Sequence, residues 1–133
     1  MGDLRTILGS LLVSAVLAPF GAAAPGQFPA QEDPVRFFAT CAGRLSAEME
    51  FQWMFDGARA DTIQSERASV LDILDAIMPP DQGRRVLSWR VEAKMAQAAL
   101  LTRATFGSDI RIQRRAQTLA ARNVEACRAL LLG

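Results

Sequence analysis

Apolar residues recur at three- and four-residue spacing along most of the chain beyond residue 33, and that rhythm predicts four helices. Asp33-Pro34 starts the first, with Asp as N-cap and Pro at the first helical position, where its missing N–H costs nothing. The pattern carries this helix to Phe55 or Asp56, with Gly57 as the stop. Val35, Phe38, Ala42, Leu45, Met49 and Trp53 fall on one stripe, and Phe37, Phe51 and Phe55 on a second, with Cys41 between the two. Such a helix touches neighbours on two sides.

In the second helix Asp61 is the expected cap, with Gln64 three residues on as in a capping box. Ile63, Val70, Leu74 and Ile77 form its buried stripe, flanked by Leu71 and Met78, and Pro79-Pro80 ends it. Ser65, Ser69 and Asp72 line the opposite, wet face. The third helix is expected from Pro80 or Asp81 to just before Gly107. Val86, Trp89, Ala93, Ala96 and Leu100 lie on one side, with Leu87, Val91, Met95, Ala98 and Leu101 on an adjoining one. So wide an apolar arc predicts a helix mostly surrounded by others. Ser108 is the expected cap of the fourth, whose stripe reads Ile112, Ala116, Leu119, Asn123, Ala126 and Leu130, ending at Gly133. No alternating apolar and polar run signals a strand.

Four helices with short connections predict an all-α fold, an antiparallel up-down four-helix bundle. The first and fourth helices then lie side by side in opposite directions, which brings Cys41 and Cys127 to one level and predicts a disulfide between them. Closing so long a loop stabilises by about 4 kcal/mol on the chain-entropy model, a large share of a small domain's ~5–15 kcal/mol.

Ahead of this domain the pattern changes. Residues 1–23 read as a cleaved signal peptide: Arg5 near the start, an uncharged run from Ile7 to about Leu17, then Pro19 and the small pair Gly21 and Ala23 before the cut. Residues 24–33 form a flexible tether, and 34–133 the helical domain. The rival is a retained membrane anchor, since the uncharged stretch from Thr6 to Gln31 exceeds the ~18–20 residues a span needs, although Pro19, Gly21 and Pro25 break its second half. Export predicts a periplasmic or secreted protein, and an oxidising compartment makes two cysteines a disulfide before anything else.

Composition closes several chemistries. The chain has no histidine, which removes Ser-His-Asp and Cys-His sites, the usual zinc and di-iron ligand sets, and haem attachment. Gly43, Gly57, Gly83 and Gly107 are isolated and read as helix ends or as a small residue at a close contact, with no phosphate loop among them. Met49, Met54, Met78 and Met95 read as packing residues before copper ligands. Asp72 and Asp75 share a solvated face. No catalytic residue, metal or cofactor is therefore expected.

Charge is unevenly spread. Ala24 to Asp81 carries ten acidic and four basic residues, and Gln82 to Gly133 ten basic and three acidic. The simplest account sets the acidic first pair of helices against the basic second pair. The sharper one is an exposed basic surface for an anionic partner: Arg111, Arg114, Arg115 and Arg122 on the fourth helix, with Arg84 and Arg85 where the third helix's dipole favours negative charge. Nucleic acid is not expected, since the domain is not strongly basic and has no reading motif. Arg67 and Asn123 fall inside apolar stripes and need partners, Glu48 or Glu92 being the candidates for Arg67.

These features point to an exported binding or accessory module without catalysis, presenting helix faces to another envelope protein or to itself, with Phe37, Phe51 and Phe55 as the candidate apolar interface. The alternatives are an accessory subunit of a membrane complex, if the leader is retained, and an enzyme working with carboxylates and arginines.

Overall fold

A computed structural model describes residues 33–131; the expected signal peptide and all but the last residue of the tether lie outside the described residues. The chain folds as α1 (Pro34–Gln52), α2 (Gly57–Ile77), α3 (Gly83–Phe106) and α4 (Ile110–Leu131), and there is no strand among the described residues. Cys41 and Cys127 are joined, with Cα atoms 5.5 Å apart, linking α1 to α4. The all-α fold and its disulfide are as the apolar rhythm predicts.

Direction alternates from helix to helix. Ser46 and Glu48 of α1 meet Arg67 and Arg59 of α2 in reverse order, while Arg36, Gly43 and Glu50 meet Trp89, Arg90 and Lys94 of α3 in the same order. Thus α1 and α3 run parallel, with α2 and α4 opposed to them. The neighbours are not a simple ring, however. The largest interface joins α1 to α3, the next joins α1 to α2, and the backbones of α2 and α3 do not come together. So α1 is the central helix, and eleven of its residues from Val35 to Met49 are buried.

Small residues explain that centrality. Ala39, Gly43 and Ala47 recur every fourth position on α1, all buried, and a Cβ at Gly43 would overlap the Arg90 carbonyl oxygen of α3. Only a missing side chain lets the two backbones approach so closely. On the other side Leu45, Ile63, Val70 and Leu74 pack fully buried between α1 and α2, each contributing about 1.5–3 kcal/mol relative to exposure.

The helix ends differ from expectation in four places, one being α3, which starts at Gly83 after Gln82 and not at Pro80 or Asp81. α1 stops at Gln52 with Trp53 as its C-cap, so Trp53 leaves the core stripe and stands 57% exposed. α2 begins at Gly57, because Asp56 Oδ1 accepts the Arg59 N–H at 3.0 Å; Asp61 lies inside the helix and caps nothing. α4 is capped by Asp109, which accepts from the Arg111 and Ile112 N–H groups, and Ser108 stays in the turn. At α2 the carboxylate nearer the preceding helix takes the cap, and at α4 the carboxylate one residue beyond Ser108 takes it from the hydroxyl.

α4 is also rotated. Its buried residues are Ala116, Ala120, Val124 and Cys127, while Ile112 and Leu119 of the expected stripe are about half exposed. The turn is roughly 70° on the helical wheel. The bond to Cys41 fixes which way Cys127 faces, and alanines at the contact let α4 sit close against α1 and α3.

Candidate functional site

The third helix carries the feature that stands out. Three of its residues are buried, Val86, Gln97 and Leu101, and its outer side is apolar and open: Leu87 is 56% exposed, Val91 50%, Met95 64% and Phe106 68%. The expectation of a helix mostly surrounded by others is corrected here. α2 is held against the far side of α1 and so never covers α3, and half of the wide arc is left in water. Leu87, Val91, Met95, Ala98 and Thr102 follow one another at three- and four-residue spacing, so they form one row along the helix.

Met54, in the turn after α1, extends this row sideways. It is 65% exposed and lines a depression of about 300 Å3 with Ala98, Leu101 and Thr102. A second depression, of about 550 Å3, runs from Met95 past Thr102 to Arg103 and Phe106. The flanks are charged. On one side Glu50 and Lys94 form an ion pair at 2.6 Å; on the other stand Glu92, which accepts from Ser88 Oγ at 2.9 Å, and Arg103. An apolar row with charged margins is the make-up of a docking face.

The phenylalanines expected to form that face do not stand together. Phe37 packs near the start of α1 against the core and edge-on to Phe38, with centroids 5.5 Å apart. Phe51 and Phe55 meet each other at 4.8 Å at the opposite end, Phe51 half-buried and Phe55 exposed. Phe51 also lines a cleft whose other wall is α4, so the fourth helix covers part of the second stripe.

The arginines fall into two separate groups. Arg84 and Arg85 line an open depression with Asp81 and Ser88 at the start of α3. Arg114, Arg115 and Arg122 line another with Thr118 and Leu119 on the outer side of α4, and Arg111 stands exposed a turn earlier. Because α3 and α4 are antiparallel, these groups sit towards opposite ends of the molecule and make no single anion surface. What the opposed charges do visibly is join the halves: Glu50 pairs with Lys94, and Glu66 holds Arg128 through two contacts at 2.8 and 3.0 Å. The hydrogen bond to Glu66, with the nearby carboxylates of Glu125 and Glu48, raises the Arg128 pKa against the opposing effect of its partial burial.

Two half-buried polar groups find partners that the pattern of residues did not suggest. Arg67 donates from Nε to Ser46 Oγ at 2.7 Å, and the Ser46 hydroxyl donates in turn to the Ala42 carbonyl. Neither Glu48, which faces Arg59 at 3.9 Å, nor Glu92 serves it. Asn123 donates to Gln97 Oε1, whose Nε2 donates to the Ala120 carbonyl, both at 3.1 Å. Gln97 is almost fully buried and went unremarked in the sequence because a lone Gln inside an apolar arc carries no periodic signal. Every buried side-chain nitrogen and oxygen among the described residues has a partner. No group of His, Cys, Asp or Glu among them could hold a metal ion, and no described helix is long and apolar enough to cross a membrane. Comparison with protein-family models, curated proteins and solved structures finds no match to this chain.

Proposed function

We propose that this protein is an exported helical module, periplasmic or secreted, that binds through the outer face of α3 and has no catalytic activity of its own. The observation that carries this reading is the exposed row Leu87, Val91 and Met95, continued by Phe106 and Met54. A monomer gains nothing from holding five large apolar side chains in water, and a contiguous patch of that kind is characteristic of an interaction surface. The buried bond between Cys41 and Cys127 supports the oxidising compartment. The absence of histidine supports a binding role over acid–base chemistry. Bidentate pairing with Glu66 commits Arg128 to the fold itself.

The test is site-specific photo-crosslinking in cells expressing the whole chain. A photoreactive residue at Val91 or Met95 is expected to give light-dependent protein adducts, whereas one at Asp72, exposed on α2, gives none. Absence of adducts from both α3 positions overturns the reading.

A further inference from the structure

We infer that the occupant of the α3 face is a second copy of this chain, its α3 lying antiparallel against the first about a two-fold axis. This deepens the docking role proposed for α3 and rests on it. The argument begins with the order of side chains along the row. Leu87, Val91 and Met95 project from the first half and Ala98, Thr102 and Phe106 from the second, all with exposed or half-exposed side chains. Reversing the helix against itself sets Leu87 opposite the partner's Phe106, Val91 opposite the partner's Thr102, and Met95 opposite the partner's Ala98. Each large side chain meets a smaller one or a ring it can lie across, and the two-fold repeats every contact. Met54 of each copy adds its side chain at the margin, beside Ala98 and Thr102.

Charge selects the direction. Glu92 and Arg103 are exposed on the same flank of the row, three helical turns apart. In an antiparallel pair a flank meets the same flank of the other copy, so Glu92 comes beside the partner's Arg103 and Arg103 beside the partner's Glu92. Arg103 makes no ion pair within the described residues of its own chain, so it is available. The same register brings Arg84 to the turn that carries Asp109. A parallel pair would face each flank with the opposite one, where Lys94 is already held by Glu50, so it offers Glu92 no uncommitted cation. One helix pair is a small interface, and a micromolar dissociation constant is expected.

The experiment is sedimentation equilibrium of the disulfide-intact protein over a wide concentration range, with matched variants. The protein is expected to dimerise. Glu92→Arg weakens the dimer about tenfold, because two symmetric pairs become repulsive, and Glu92→Arg with Arg103→Glu restores it to within about twofold. Val91→Glu abolishes it while leaving circular dichroism unchanged, since Val91 is half exposed in the monomer; should Val91→Glu fail to fold, the charge-swap series alone decides. A strict monomer overturns self-pairing, and if Val91 still yields adducts with another protein in cells, the wider binding role stands. A dimer insensitive to these substitutions places the contact elsewhere and also overturns the proposal. A dimer lost with Val91→Glu but indifferent to the charge swap overturns the antiparallel register.

Discussion

Gly43 decides how near α1 and α3 can come, and a methyl group there would collide with the Arg90 carbonyl, a backbone atom that cannot swing aside. Gly43→Ala is therefore expected to destabilise by about 1–3 kcal/mol in urea unfolding. Gly57→Ala meets nothing within 4 Å, so it stays within about 0.5 kcal/mol or stabilises slightly. Gln97 offers a second test. Gln97→Leu strands the Asn123 amide at a half-buried position and costs about 1–3 kcal/mol; Gln97→Leu with Asn123→Leu recovers most of that, because no polar group is then left without a partner. Arg128 contributes in a different way. Its folded-state pKa is raised by Glu66, so its stabilisation is fully present below the unfolded value and lost only as pH rises through the folded one. An arginine titrates only far into the alkaline range, so this contribution is constant through neutral and moderately alkaline pH.

Helix boundaries turned on capping chemistry more than on apolar rhythm. Asp56 and Asp61 both precede a plausible helix, but only Asp56 adopts the extended backbone and receives the Arg59 N–H. Removing it as Asp56→Ala is expected to cost about 1 kcal/mol. Asp61→Ala, on an exposed helical position, should fall within about 0.5 kcal/mol of the parent by thermal or urea unfolding. The apolar stripes were legible to different degrees. Three of the four stripe residues read for α2, Ile63, Val70 and Leu74, are buried as the spacing implies. In α4 the spacing favoured Ile112 and Leu119, yet the covalent bond at Cys127 and the small Ala116 and Ala120 turned the helix away from them. In α3 the arc itself was legible and its burial was not. Periodicity reports which residues share a side, whereas a second helix has to arrive before that side is dry.

Over the whole molecule the disulfide ties the last helix to the central one across a separation of 86 residues. Reduction is expected to lower stability by about 2–5 kcal/mol, read as a fall in the urea midpoint, and the double variant Cys41→Ser with Cys127→Ser should match the reduced protein. Intact mass of the protein isolated from cells expressing the whole chain, with and without reductant, checks two expectations together: a start at Ala24, and a gain of two hydrogens only after reduction. Retention of the leader would point to the anchored-subunit alternative. Equal mass under both conditions would remove the oxidising compartment from the account.

The chain's own residues specify four helices, the pairing of its two cysteines, the opposed charge of its halves and the closure of histidine-based chemistry, because each depends on local spacing, on composition or on a simple alternation of direction. Which helix becomes central, which phenylalanines meet, and which apolar row stays in water are decided only by tertiary contact. Gly43 draws α3 onto α1, that approach excludes α2 from α3, and the face left over is the one the protein has to offer.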